Sequence, residues 1–233
     1  MSFRNDLADR PAAVYADFLL PHLTRGSRLL DCGCGSGSIT VGLAPSVRFA
    51  VGVDLDAASF RSAVAYLESE SILNVRFVAA DGCTLPFSEA VFDAVLLHSV
   101  LEAAVDPGAL LRAAWRSLVP GGVVAAASVE YGGRILAGPH MEVLQRFYAV
   151  RERLWALERV ARPRAGRELR RLLREAGFIR IDATAHYLSY GTPGAVRSFG
   201  EARASDCSDA WFASRSVAHG LLSEAELRQT QDA

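Results

Sequence analysis

An α/β fold, doubly wound around a mostly parallel sheet with helices on both faces and a helical cap, is predicted by three observations. Nearly all-apolar runs of strand length end in turn in a polar residue, helical patterns separate them, and the first run breaks into three alternating glycines. Strands that are apolar throughout belong inside a parallel sheet, where helices cover both faces. In such sheets ligands lie outside the carboxyl ends of the strands.

The stretch that organises the rest is 28–37, R-L-L-D-C-G-C-G-S-G. Gly33, Gly35 and Gly37 let the backbone turn sharply and let a ligand press against bare main chain. Residues 38–43 then begin a helix whose free N–H groups face that ligand. A plain glycine-rich turn is the alternative, but three spaced glycines after an apolar run rarely serve packing alone. The loop reads as a site for a nucleotide-like ligand.

Ahead of it, 11–20 reads as a helix with proline in its first turn, ended by Pro21. After it, 49–54 is a buried strand ending in Asp54 and followed by Leu55. Asp56 caps a helix with Phe60, Ala63, Val64 and Leu67 on one face. A third strand, 75–79, leads to Asp81 and Gly82, and a fourth, 92–97, leads to His98. Asp106 and Pro107 open a helix that reaches Leu118; Pro120, Gly121 and Gly122 stop it before a fifth strand at 123–129.

Beyond Glu130 the character changes. A long helical pattern covers 141–160, Pro163 breaks it, and a cleaner helix with Leu169, Leu172, Leu173 and Ala176 on one face runs over 168–176 to Gly177. Residues 178–190 alternate apolar and polar, which predicts a half-exposed sixth strand. No seventh is expected, because nothing after Phe199 alternates. The tail from 192 is small, polar and glycine-spotted, with a helical end opened by a Ser223 to Glu226 capping box and lying over the pocket mouth. The expected organisation is one domain over 1–233, with a core at about 24–130 and 166–190 and cap segments at about 1–23, 131–165 and 191–233.

Composition narrows the function. A chain of 233 residues that is 51% hydrophobic and 22% charged holds ample core, and its net charge of −1 argues against a dedicated nucleic-acid binder. The sequence has no lysine, which excludes a P-loop and any lysine Schiff base. No apolar run is long enough for a membrane span and no signal peptide is seen, so a cytoplasmic protein is expected. Cys32 and Cys34 form a C-x-C, but neither Cys83 nor Cys207 brings further ligands at metal spacing, so no metal is expected. Eleven arginines against four acids over 146–180 suit either an anionic ligand or a solvated face; Arg167, Arg170, Arg171 and Arg174 lie opposite the leucine stripe.

The chain resembles the class I S-adenosylmethionine-dependent methyltransferases, which are Rossmann-like, in the branch acting on small molecules. The motifs that carry the resemblance are L-L-D-C-G-C-G-S-G, the acidic end of V-G-V-D, A-A-D-G-C-T-L-P-F at 79–87, L-L-H-S-V-L-E with the D-P and L-V-P-G-G of 106–122, and E-A-G-F at 175–178. The resemblance implies that Asp31 and the backbone of Gly33, Gly35 and Gly37 hold the methionine end of the cofactor. It assigns Asp54 to the ribose hydroxyls, with Leu55 beside it, Asp81 with Gly82 to the adenine edge, and His98 to a main-chain contact with the cofactor's amino group. A carboxylate can accept from two hydroxyls at once, which suits Asp54 to a cis-diol.

The family often has a second histidine where Ala103 stands here, which argues against a histidine relay. His140, at the start of the presumed cap, is the candidate general base. Two alternatives stay open: a nicotinamide dehydrogenase, whose glycines are spaced G-x-G-x-x-G, and a cofactor-binding relative that catalyses a non-methylating reaction such as a cyclisation.

Overall fold

The computed structural model describes residues 10–138, 140–158 and 161–232. They form two compact units, the first from 1–129 with 165–181 and the second from 130–164 with 182–233.

Unit 1 is built on β1 (Arg28–Cys32), β2 (Phe49–Asp54), β3 (Val75–Ala79), β4 (Phe92–His98) and β5 (Leu118–Ala127). The order is β3-β2-β1-β4-β5, and every neighbouring pair is parallel. Successive side chains of a strand point to opposite faces. Leu29, Ala50, Val75, Ala94 and Leu96 accordingly meet one helical layer, formed by α1 (Ala12–Tyr15), α2 (Ser38–Leu43) and α3 (Arg61–Ser69). Leu30, Val51, Val53, Val95 and Leu97 meet the other, with Leu110, Leu111 and Ala114 of α4 (Pro107–Ser117). The first stretch of unit 2 carries α5 (Met141–Glu158), and α6 (Leu169–Glu175) returns to unit 1 with Leu172 and Leu173 buried on that second face.

Several expected boundaries move. The helix expected over 11–20 is four residues long, and a 3₁₀ turn at Leu20–His22 follows. The chain folds back at Ala16 so that Ala12, Ala16 and Leu19 all enter the core. Gly42 of α2 permits this, since a Cβ there would fall 2.8 Å from Ala12 Cβ. Asp56 caps a turn, accepting from Ala58 N at 2.9 Å, and α3 begins only at Arg61, which leaves Val64 36% exposed beside buried Ala63 and Leu67. β5 starts at Leu118 and carries Pro120, Gly121 and Gly122 within it. The register steps from Phe92 opposite Leu118 to Ala94 opposite Val123, so the breakers are absorbed as a bulge with Gly121 at φ +82°.

The sixth strand is not formed. Residues 178–190 have no regular secondary structure, Ile179 is 91% exposed, and among the described residues β5 is the last strand of its edge. Alternation marks a segment able to pair; the pairing partner is supplied by the rest of the fold.

Unit 2 packs α5, α7 (Pro193–Ser208), α8 (Ala210–Ala218) and α9 (Glu224–Asp232) around Phe147, Tyr148, Leu154, Cys207, Phe212 and Leu222. Thr192 caps α7 and Asp209 caps α8 through their side-chain oxygens. Ser223 and Glu226 form the expected reciprocal box, with Ser223 N donating to Glu226 Oε2 at 2.8 Å and Glu226 N to Ser223 Oγ at 3.2 Å. Residues 159 and 160, the expected end of the long helix, lie outside the described residues.

Candidate cofactor site

The carboxyl ends of the strands in unit 1 gather the cofactor residues expected from sequence. The glycine loop is fastened to the neighbouring strand, with Gly33 N and Cys34 N donating to Val53 O at 2.7 and 3.0 Å. Gly33, Gly35 and Gly37 have φ of +82°, +52° and +76°, a region open at little cost only to glycine. The outer two are also needed for packing: a Cβ on Gly33 would lie 2.4 Å from Val100 Cγ2, and one on Gly37 would lie 2.5 Å from Phe77 Cζ. A Cβ on Gly35 would meet nothing within 4 Å. The middle glycine therefore offers bare backbone to open space, as a cradle for a ligand does.

Asp54, at the end of β2, shapes that cradle. Its Oδ2 accepts from Gly35 N at 2.8 Å and its Oδ1 from Asp56 N at 3.1 Å. Each oxygen has a second lone pair, so a half-exposed carboxylate can still take two hydroxyl donors. Leu55 beside it is 76% exposed. Ala80 N donates to Asp54 O, which brings the end of β3 alongside; there Asp81 is exposed and accepts from Cys83 N at 2.8 Å. Gly82 is required because a Cβ would lie 2.6 Å from both Cys32 Sγ and Leu110 Cδ1.

Asp31 is 2% exposed, and its Oδ2 accepts from Thr40 Oγ1 at 2.5 Å, pinning β1 to α2 on either side of the loop. Burial pushes its carboxyl up to about 6, against the Thr40 hydrogen bond and the charge of Arg10, which both favour the ionised form. His98 is pushed down to about 4, first by burial and then by the charge of Arg10. Arg10 Nη2 lies 3.2 Å from His98 Nδ1. A guanidinium only donates, so Nδ1 accepts and Nε2 carries the proton, which makes His98 a hydrogen-bond donor toward any ligand and a poor proton acceptor.

The thiols beside the loop are not nucleophiles. Burial raises Cys32 to about 12 and Cys34 further.

His140 belongs to the other unit. It is exposed, in unit 2, in the turn ahead of α5, where its carbonyl accepts from Leu144 N at 3.1 Å.

Sequence reasoning missed the N-terminal contribution. The Arg10 guanidinium sits 5.4 Å from the centre of the Tyr15 ring, and the Tyr15 and His98 rings meet edge to face at 5.7 Å. No spacing rule links residues 88 positions apart. It also passed over the residues just beyond His98 at the end of β4 and just beyond β5. Ser99 has φ +56°, a strained value for a non-glycine residue, and donates from its backbone N to Ala127 O at 2.8 Å. Glu102 Oε2 and Ser128 Oγ are buried there with no hydrogen-bond partner among the described residues. Glu102 stood inside a quoted motif, but only the fold shows that its Oε2 is buried without a partner among the described residues.

Fold and site together define an α/β protein with a glycine cradle at one strand end, a carboxylate at the next and a polar cluster at the fourth. Residues 30–126 match the family described as a methyltransferase domain. A demethylmenaquinone methyltransferase from Roseiflexus castenholzii is 31% identical over 163 residues, which is 65% of this chain and 67% of that protein. A ubiquinone biosynthesis O-methyltransferase from Pseudomonas fluorescens is 32% identical over 100 residues, 42% of this chain and 43% of that one. The chain thus spans two thirds of the first relative's length and under half of the second's. In fold it is similar to the YcgJ protein of Bacillus subtilis, with a TM-score of 0.62 at 19% identity over 92% of this chain and 86% of that one.

The chain belongs to the class I S-adenosylmethionine-dependent methyltransferases, and S-adenosylmethionine is its cofactor. The nicotinamide-dehydrogenase alternative falls with that membership. Among the described residues no group of three or more His, Cys, Asp or Glu side chains could hold a metal ion, and no helix is long and apolar enough to cross a membrane.

Proposed function

We propose that the protein transfers the methyl group of S-adenosylmethionine to an oxygen, nitrogen or carbon nucleophile of a small metabolic or natural-product intermediate in the cytoplasm. The observation that carries this is the bare backbone of Gly35 next to the carboxylate of Asp54, which fits a ribose diol beside a close-packed linker. The two relatives act, by their names, in quinone metabolism, which supports a ring-bearing acceptor of modest size. We read the whole chain as one methyltransferase domain in which unit 2 supplies the cap.

When bound, the cofactor supplies an electrophilic sulfonium methyl group. In this reading Asp54 orients the ribose, and Asp81 and Gly82 border the adenine. Asp31 and Arg10 offer opposite charges to the zwitterionic amino-acid end, and His98 Nε2–H donates to it. Holding both reactants in line accounts for much of the rate, since orientation alone can contribute about 7–11 kcal/mol. His140 is our candidate for taking the proton of an oxygen or nitrogen nucleophile.

Calorimetric titration of S-adenosylmethionine and of NADH tests the reading. Hydrogen bonds to a charged acceptor contribute about 1.5–3 kcal/mol, so Asp54→Asn should weaken S-adenosylmethionine roughly ten- to a hundredfold. The variant keeps an oxygen for Gly35 N–H, so the loop should hold. Preference of the wild type for NADH, or unchanged cofactor affinity in the variant, would refute the assignment.

A further inference from the structure

Unit 2 holds an arginine cluster that the methyl-transfer reading does not use. Arg134, on the segment ahead of α5, places its guanidinium 3.7 Å from the centre of the Tyr148 ring and pairs through Nη2 with Glu152 at 2.6 Å. Arg203 of α7 approaches the hydroxyl of the same tyrosine at 3.4 Å and Asp206 at 2.9 Å. Asp206 is shared with Arg151 at 2.7 Å. Aromatic faces back these cations: Trp155 lies 4.6 Å from the Arg151 guanidinium, and Phe199 lies 5.2 Å from that of Arg203.

The cluster is out of balance in two ways. Three guanidinium groups pair with two carboxylates, which leaves one positive charge unmatched among the described residues. In addition, Nε and Nη1 of Arg134 and Nε of Arg203 are buried with no hydrogen-bond partner among the described residues. Charged donors withdrawn from water without an acceptor are costly, and the parallel N–H groups of a guanidinium match the two oxygens of a carboxylate. The side chains of Arg134, Arg151 and Arg203 remain 23%, 22% and 25% exposed, so solvent reaches the cluster, and the flexible stems can turn these donors to an incoming ligand. The exposed arginines of α6 differ, since Arg171 already pairs with Glu168 and Glu175 on the surface.

We propose that this cluster is a binding site for an aromatic monocarboxylate, with the carboxylate held by Arg134 and Arg203 and the ring against the half-buried Phe199. A single negative charge matches the single unmatched positive one; a phosphate would bring a second without a partner. An aromatic ring suits walls that are already aromatic and that stack with guanidinium planes. The site stands on unit 2 alone and does not depend on the methyl-transfer reading.

Sodium benzoate is the probe, titrated into the full chain by calorimetry with S-adenosylhomocysteine saturating the cofactor site, against sodium acetate, benzyl alcohol and sodium phosphate at matched ionic strength. Saturable one-to-one binding of benzoate, at least tenfold tighter than acetate or phosphate, is expected. Arg203→Met should weaken it tenfold or more while Arg151 keeps Asp206 paired, and circular dichroism checks that the variant is folded. If that variant does not fold, Arg134→Gln is read in the same way. Absence of saturable benzoate binding to the wild type, equal binding of phosphate, or benzoate affinity unchanged in a folded variant would overturn the proposal.

Discussion

Replacing Asp31 by asparagine should change the pH dependence of stability in a way that follows from its burial. The carboxyl ionises near 3.8 when exposed to water and at about 6 in the folded protein. At 1.36 kcal/mol for each pH unit, that difference is about 3 kcal/mol. The sign is opposite to that of a salt-bridged aspartate. Below 3.8 the group is protonated in both folded and unfolded chains and costs nothing; above about 6 it is ionised in both, and the folded state carries the full cost of a buried charge. The stability of the wild type relative to Asp31→Asn should therefore fall by about 3 kcal/mol as the pH rises from about 4 to 6, and stay level beyond. His98 titrates in an overlapping window with the other sign. Its folded value is depressed from 6.5 to about 4, so the stability it contributes is lost as the pH falls between them, but it is present in both proteins and cancels in the difference. Native-state hydrogen exchange of the β1 and β4 amides, corrected for intrinsic rates, isolates unit 1 from unit 2. A wild-type minus variant difference that is flat with pH, or that grows as pH rises, would refute the reasoning.

Two further outcomes are expected. Gly37→Ala should destabilise unit 1 by about 1–3 kcal/mol, because the new methyl meets Phe77 at 2.5 Å on a backbone of φ +76°; Gly35→Ala, with open space around it, should cost less stability and chiefly lower cofactor affinity. Thermal melts and a cofactor titration of both variants separate the cases, and equal losses in the two would contradict the packing argument. His140→Ala should lower turnover by roughly a hundredfold with cofactor affinity unchanged if the imidazole takes the acceptor's proton, and unaltered turnover would remove it from that role.

The parallel sheet and the sharp glycine loop were legible in the sequence because both are encoded locally. A strand buried on two faces must be apolar throughout, and a loop whose glycines hold positive φ can be built from few other residues. The strand ends at Asp54, Asp81 and His98 could be assigned to one edge because parallel strands all finish there. Chain punctuation was read well at Asp106, Gly177 and Ser223, where a cap or stop acts within a few residues. It failed at Pro120 to Gly122, whose breakers β5 absorbs once β4 supplies hydrogen-bond partners.

Tertiary structure alone decided the rest. Residues 178–190 alternate as a strand would, yet among the described residues they do not pair with the outer edge of β5; a strand exists only where it docks on another, and no local pattern states whether it will. The pairing of Arg10 with His98, the unpartnered oxygens of Glu102 and Ser128, and the convergence of Arg134 and Arg203 on Tyr148 are likewise invisible along the chain. Hydrogen bonds and charge interactions act over a few ångströms of space, and sequence separation sets no limit on which residues the fold brings within that reach.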